Sequence, residues 1–190
     1  MGDWSVKRET MDSYDVKADG YEAQYGGEQS EKYGAALDAV RVEGNDAVLD
    51  DGCGTGLFIR RVAHNSSCVV GVDFSERMLS AAKRMCGGLR NVFLIRCDAD
   101  FLPLKKSSFD KVFSFTLIQD APNPERTILE MARVSKSSSK IVVTALKKVY
   151  TLAKLTDQLR SSSLRIIDAP DAKALKDHVV VCEKAEQGDL

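Results

Sequence analysis

The stretch Ala47-Val-Leu-Asp-Asp-Gly-Cys-Gly-Thr-Gly56 decides how the rest of the chain is interpreted. The apolar run before Asp50 predicts a buried parallel strand. Three glycines follow at Gly52, Gly54 and Gly56, and they allow the backbone to turn tightly and to approach a ligand closely. The apolar residues after the last glycine predict a helix whose N-terminus points at this turn. Strand, glycine loop and helix together predict a binding site for a polar or anionic ligand group.

The spacing of the glycines distinguishes two classes of cofactor. A nicotinamide or flavin site requires Gly-x-Gly-x-x-Gly beneath a pyrophosphate. Counted from Gly52 or Gly54, the third position is Leu57 or Ile59, so that pattern fails. The pattern Asp-x-Gly-x-Gly-x-Gly, starting at Asp50, fits instead, and on it the chain resembles the class I S-adenosylmethionine-dependent methyltransferases. S-adenosylmethionine has no phosphates but carries an ammonium and a sulfonium, so a carboxylate beside the loop suits its charge.

Acidic residues end the next two apolar runs of the sequence. Because strand ends line the ligand crevice in this fold, Asp73 is expected to accept both hydroxyls of a ribose. Its neighbour Phe74 offers a flat face for an adenine ring. The resemblance assigns Asp98 to the adenine amino group and the backbone N–H of Ala99 to a ring nitrogen. Asp100 is the less favoured alternative to Asp98.

A row of tyrosines precedes the first strand. Residues 9–25 are compatible with one helix, in which Tyr14 and Tyr21 share a face with Ala18 and Tyr25. Such a face either packs in the core or covers a ligand, since tyrosine has an apolar body and a polar tip. Many relatives carry a similar Tyr-(x)6-Tyr pattern that covers the cofactor. The cofactor-binding residues implied by the resemblance are therefore Tyr14, Tyr21, Asp50, Gly52, Cys53, Gly54, Gly56, Asp73, Phe74, Asp98, Ala99 and Thr116.

The boundaries of the N-terminal segment follow from local signals. Residues 1–10 are expected to be frayed, and Gly26-Gly27 is expected to end the first helix. A second helix is predicted at about 29–41, where apolar residues recur at helical spacing. Residues 9–41 would then form a helical cap on a single methyltransferase domain that spans 1–190.

Alternating apolar runs and amphipathic segments predict an α/β domain. The last two runs, at 164–167 and 179–182, lie too close together for a crossover helix, so they should pair antiparallel. Residues 135–140 are expected to form a polar loop before a fifth strand. The resemblance, which spans roughly 14–184, implies a three-layer Rossmann-like sandwich. Its sheet would be mostly parallel, with seven strands in the order 3-2-1-4-5-7-6 and one antiparallel strand.

Composition argues against several classes of partner. The net charge of −1 provides no overall field that would attract nucleic acid or an anionic membrane. No stretch approaches the roughly 20 apolar residues of a membrane span, and the N-terminus lacks an apolar signal core. The five cysteines are scattered without Cys-x-x-Cys spacing, so neither a metal site nor a disulfide framework is predicted. We therefore expect a cytoplasmic protein without a metal or a membrane partner.

The segment 116–120 follows the fourth predicted strand and should face the methyl group of the cofactor. Methyl transfer from a sulfonium is an in-line displacement, for which the protein supplies mainly positioning and desolvation. Asp120 is the candidate catalytic residue, because it can take a proton or hold a cationic acceptor. The alternative for Asp120 is a carboxylate of a surface loop without a catalytic role. The Asn/Asp-Pro-Pro-aromatic motif of base-methylating enzymes is absent.

The sequence leaves the methyl acceptor open. The predicted cap is small, which is consistent with a small-molecule acceptor covered by the Tyr14 helix and equally with an exposed group on a protein or an RNA. A small molecule is the acceptor that we favour. A non-catalytic S-adenosylmethionine-binding subunit that activates a partner is a further alternative. An aminopropyltransferase is disfavoured, since Asp120 alone represents the acidic acceptor pocket of that class. The basic pairs Lys105-Lys106 and Lys147-Lys148 are interpreted as solvated surface, and the oligomeric state does not follow from the sequence.

Overall fold

A computed structural model of the chain describes residues 3–170 and 173–184. Helices α1 (Asp3–Lys17) and α2 (Tyr21–Ala39) precede a series of alternating strands and helices. The strands are β1 (Ala47–Asp51), β2 (Cys68–Asp73), β3 (Val92–Arg96), β4 (Phe109–Phe115), β5 (Ser135–Leu146), β6 (Leu164–Asp168) and β7 (Asp177–Lys184). The remaining α-helices are α3 (Leu57–Val62), α4 (Glu76–Met85), α5 (Pro124–Val134) and α6 (Leu152–Ser161). Within the described ranges, every helix is too short or too polar to cross a lipid bilayer.

The strands form one seven-stranded sheet in the order β3-β2-β1-β4-β5-β7-β6. Neighbours from β3 to β5 pair in parallel, whereas β7 runs antiparallel to both β5 and β6. This confirms the predicted Rossmann-like α/β fold, the strand order and the antiparallel closing pair. The C-terminal ends of the parallel strands meet at one edge of the sheet, where this architecture binds its ligands.

Helices cover both faces of the sheet, which gives three layers. Leu49 of β1 belongs to an apolar cluster that includes residues of α5 and α6. The preceding residue, Val48, belongs to a second cluster with residues of α2, α3 and α4. Successive side chains of a strand point to opposite faces, so the next two residues, Asp50 and Asp51, are divided between the two layers in the same way.

The N-terminal helices differ from the prediction. Helix α1 already begins at Asp3, so residues 3–10 are helical rather than frayed, and residues 1–2 lie outside the described ranges. A turn at 18–20 then separates α1 from α2, so the tyrosines do not share one helix. Helix α2 continues through Gly26-Gly27 because its later turns bury side chains against the sheet. That burial outweighs the helix penalty of about 1 kcal/mol for each glycine.

The segment 135–140 also differs from the prediction of a polar loop. It belongs to β5, which begins at Ser135 immediately after α5. Ser135 pairs with Phe109 and Lys140 pairs with Lys111, and the ladder shifts register between the two pairs. The Ser135 hydroxyl donates to the carbonyl of Met131 at 2.7 Å. The chain thus passes directly from helix to strand. The polar residues lie at the start of β5, where the pairing with β4 shifts register.

Candidate functional site

The glycine loop after β1 adopts a conformation that only glycine accommodates readily. The φ angles are 82° at Gly52, 52° at Gly54 and 82° at Gly56. A Cβ atom on Gly52 would lie 3.1 Å from Leu117, and one on Gly56 would lie 3.1 Å from Cys86 Sγ. A Cβ on Gly54 would meet no heavy atom within 4 Å. Two of the glycines therefore also permit close packing, whereas the middle one borders open space.

A cavity of about 120 Å³ lies at this edge of the sheet. It is lined by the glycine loop, the ends of β2 and β3, the segment after β4, and side chains of α1 and α2. Ten of the residues predicted from the sequence lie in its wall: Tyr14, Tyr21, Gly52, Gly54, Asp73, Phe74, Asp98, Ala99, Thr116 and Asp120. These residues come from six separate segments of the chain, which the fold brings to one place.

Three predicted residues, Asp50, Cys53 and Gly56, do not line the cavity. Asp50 and Cys53 are buried, and Cys53 belongs to the apolar cluster with α2 and α3. Burial, reinforced by the nearby Asp73 carboxylate, raises the pKa of Asp50 to about 8. The acidic residue of β1 that reaches the cavity is its neighbour Asp51, since adjacent strand residues point to opposite faces.

Asp51 was not predicted as a site residue. Its side chain is 0% exposed, and within the described residues neither carboxylate oxygen has a hydrogen-bond partner. Burial, together with the charges of Asp50 and Asp73, raises the pKa of Asp51 well above its usual range. The signal in the sequence was an acidic residue at a position of a buried strand where the pattern calls for an apolar one. A neutral Asp51 carboxyl can donate a hydrogen bond as well as accept one.

Asp73 connects the end of β2 to the glycine loop. Its Oδ2 accepts the backbone N–H of Gly54 at 2.9 Å, and its Oδ1 accepts that of Ser75 at 2.8 Å. Burial raises the pKa of Asp73 to about 6, although these backbone hydrogen bonds act to lower it. Each carboxylate oxygen has a further lone pair, so Asp73 can accept hydroxyl groups from a ligand while it holds the loop.

Helix α1 places a lysine in the cavity wall. The Lys7 ammonium lies 2.7 Å from Asp98 Oδ2 and also donates to Asp100 Oδ2. Burial lowers the pKa of Lys7, but the hydrogen bonds from both carboxylates outweigh it, so the pKa is raised. The Thr127 hydroxyl also donates to Asp100. The sequence did not reveal Lys7, because it lies in the segment that was expected to be frayed.

The two predicted tyrosines meet at the other end of the cavity, although they lie on different helices. The ring centroids of Tyr14 and Tyr21 are 6.4 Å apart, and that of Phe74 is 6.5 Å from Tyr14. The Tyr14 hydroxyl donates to Asp120 Oδ2 at 2.6 Å. Burial and then the Asp120 carboxylate raise the pKa of Tyr14, so it stays a hydrogen-bond donor at neutral pH. Tyr14, Tyr21, Thr116 and Asp120 also line a second cavity of about 700 Å³ beside the first.

Comparison with known proteins adds an independent line of support. Residues 43–184 match a family model described as a methyltransferase domain. The demethylmenaquinone methyltransferase of Tropheryma whipplei is 33% identical over 109 residues, which cover 57% of this chain and 45% of that protein. The malonyl-[acyl-carrier protein] O-methyltransferase of a Marinomonas species is 32% identical over 146 residues, which cover 76% of this chain and 54% of that protein. The chain thus spans about half the length of these relatives.

A similar solved structure comes from the complex between the Trm112 methyltransferase activator of Haloferax volcanii and its methyltransferase partner. The match has a TM-score of 0.80 at 20% identity and covers 91% of this chain and 98% of the other. At this identity the likeness concerns the fold.

Proposed function

We propose that this chain transfers the methyl group of S-adenosylmethionine to a small-molecule acceptor. The chain belongs to the methyltransferase domain family. The observation that carries the proposal is the junction of two cavities at Thr116 and Asp120. One cavity has the residues expected for the methyl donor. The other opens beside it and has room for an acceptor.

The residues of the first cavity fit the chemistry of S-adenosylmethionine. We infer that Asp73 holds the ribose hydroxyls and that Asp98 and Ala99 hold the adenine, with Phe74 against the ring. The open side of Gly54 leaves space for the methionine portion. The carboxyl of Asp51, which has no hydrogen-bond partner among the described residues, is a further polar group in the wall of this cavity. Lys7 must share or release Asp98 when the adenine amino group approaches.

The bound cofactor supplies an electrophilic methyl group, so the chain has little covalent chemistry to perform. Its own residues orient the acceptor and exclude water. Tyr14 and Tyr21 cover the junction of the cavities, and Thr116 lies at its wall. Asp120, oriented by the Tyr14 hydroxyl, is positioned to take the proton that an acceptor loses or to hold a cationic acceptor.

A small-molecule acceptor is supported by the name of the Tropheryma relative, whose acceptor is demethylmenaquinone. Tyr14 of α1 and Tyr21 of α2 line both cavities and offer aromatic surface to an organic molecule. A carrier-bound or macromolecular acceptor is the second candidate. It is favoured by the Marinomonas relative, which is named for an acyl-carrier protein, and by the fold of the chain that was solved with the Trm112 activator.

The experiment is incubation with methyl-labelled S-adenosylmethionine and a cell extract separated into small molecules, protein and RNA. We expect label in the small-molecule fraction and a large loss of that label with Asp120→Asn, while the affinity for S-adenosylhomocysteine stays unchanged. Label confined to protein or RNA would overturn the small-molecule assignment. Tight binding of S-adenosylhomocysteine without transfer to any fraction would indicate a non-catalytic subunit.

A further inference from the structure

The wall of the second cavity carries positive charge, which the proposed function leaves unexplained. It is a groove of about 700 Å³ between α2 and the segment that follows β5. Because it shares Tyr14 and Asp120 with the cofactor cavity, a molecule bound in it would lie beside the methyl donor. We call it the acceptor groove and define it by the charged and amide side chains in its wall: Lys17, Glu28, Gln29, Lys32, Gln119, Asp120, Lys147, Lys148 and Lys176.

Positive charge predominates in the wall of the acceptor groove. Five lysines line it against two carboxylates, those of Glu28 and Asp120. Lys176 lies 2.7 Å from Glu28 and forms an ion pair with it. Lys17 lies over the ring of Tyr14, 5.3 Å from its centroid. The adjacent, exposed Lys147 and Lys148 add two more charges at one side of the groove.

The most buried lysine of the groove is held by specific contacts and is not a solvated surface residue. Lys32 is only 1% exposed, lies 3.0 Å from Asp177 Oδ2 and donates to the Thr116 hydroxyl. Thr116 has a φ of 60°, a left-handed conformation that is uncommon for threonine. Strained residues of this kind concentrate where a ligand is bound. Lys32 thus fixes the residue that separates the two cavities.

The wall of the groove also contains a buried amide with one unpartnered atom. Gln29 is 7% exposed and lines the groove, and its Nε2 donates to the Tyr21 hydroxyl at 3.2 Å. Its Oε1 is buried and has no partner among the described residues. Buried polar atoms normally have a hydrogen-bond partner, so this oxygen can accept a hydrogen bond from a donor group of the acceptor, away from its acidic end.

We propose that the acceptor groove binds the methyl acceptor through an acidic group, a carboxylate or a phosphate, held by Lys147 and Lys148. This rests on the proposed function, since it assigns the substrate class of the same site. The acidic group anchors one end of the acceptor, and its nucleophile then faces Asp120. A nucleic acid is disfavoured as the source of the phosphate, because the chain has a net charge of −1 and therefore no overall positive field.

The first test measures binding of inorganic pyrophosphate to the full chain saturated with S-adenosylhomocysteine. We expect saturable binding that weakens about tenfold in the double variant K147A/K148A. The matched control is K105A/K106A, a second exposed lysine pair outside the groove, which should bind pyrophosphate as the unmodified chain does. Equal binding by both double variants, or no binding by the unmodified chain, would overturn the assignment.

The second test follows methyl transfer to small molecules separated by anion exchange. We expect label in the acidic fraction, and we expect K147A/K148A to raise the KM about tenfold with little change in kcat or in S-adenosylhomocysteine affinity. Label in neutral or cationic molecules, or in RNA, would refute an anionic acceptor. If no fraction is labelled, the proposed function fails, while pyrophosphate binding still decides whether the groove holds anions.

Discussion

At the scale of single residues, Asp73 and Asp50 occupy different environments, although both were expected to face the cofactor. Asp73 lines the cavity and also accepts two backbone N–H groups, one of them from Gly54 in the glycine loop. Asp50 lies outside the cavity wall, and its burial favours the neutral form. The sequence supplied both acids in the right motif. Only the direction of each side chain determines which one a ligand can reach.

Replacing Asp73 with alanine should weaken binding of S-adenosylhomocysteine by roughly 1.5–3 kcal/mol, because a charge-assisted pair of contacts is lost. Calorimetric titration measures the affinity, and circular dichroism checks that the variant is folded. Asp157→Ala is a suitable control, since Asp157 is exposed on α6 and outside the cavity. An unchanged affinity in folded Asp73→Ala would refute the ribose assignment.

Binding of S-adenosylhomocysteine should also depend on pH through Asp73. Burial raises its pKa to about 6, and only the ionised carboxylate can accept both ribose hydroxyls. Protons therefore compete with the ligand below that pH. The affinity should be constant above pH 7 and should fall by about tenfold per pH unit below pH 6. The same titration with Asp73→Ala should be flat across this range, and an equal slope in both proteins would contradict the assignment.

At the scale of elements, α1 behaves as a cover that is held mainly by polar contacts. Lys7 and Tyr14 reach the cavity, and Asp15 accepts hydrogen bonds from Ser75 and from the backbone N–H of Arg77 at the start of α4. Its outer side chains are exposed, including 60% of Trp4. A helix with so little apolar burial can detach at low cost compared with the sheet. Among the elements that line the cavity, α1 is therefore the one that we expect to open most readily.

Deleting residues 1–19 should leave a folded core that binds S-adenosylhomocysteine at least about tenfold more weakly, which corresponds to the loss of one good polar contact. The core should persist because α2 keeps its buried face on the sheet. Affinity is measured by calorimetry and folding by thermal denaturation. Trp4→Ala serves as the control on the same helix and should bind normally. Full affinity in the truncated protein would reduce α1 to a packing element.

At the scale of the whole molecule, a buried ion pair connects α2 to the last strand, β7. Lys32 of α2 and Asp177 of β7 are 1% and 0% exposed at their side chains, and 3.0 Å separates Nζ from Oδ2. Thr116, after β4, contacts both partners. Removing one partner of such a pair leaves an uncompensated buried charge. We therefore expect the pair to couple the stability of α2 to that of β7.

The variant Lys32→Met should lower the free energy of unfolding by about 3–5 kcal/mol, measured by urea denaturation. The double variant Lys32→Met with Asp177→Leu should recover part of this loss, because no unpaired charge remains in the interior. Lys136→Met removes a half-exposed partner of Asp110 and should cost about 1 kcal/mol or less. If Lys32→Met lowers the free energy of unfolding no more than this control does, the pair does not stabilise the fold.

The sequence by itself determined the features that depend on neighbours along the chain. The spacing of Gly52 to Gly56, the acidic ends of the strands and the alternation of strand and helix are local patterns. Together with the family resemblance they predicted the fold and ten of the residues that line the cavity. Only the tertiary structure decided which face Asp51 occupies, that Lys7 meets Asp98, and that lysines from four segments share one groove. Those contacts join residues far apart in sequence, and their formation depends on packing energies that no local pattern encodes.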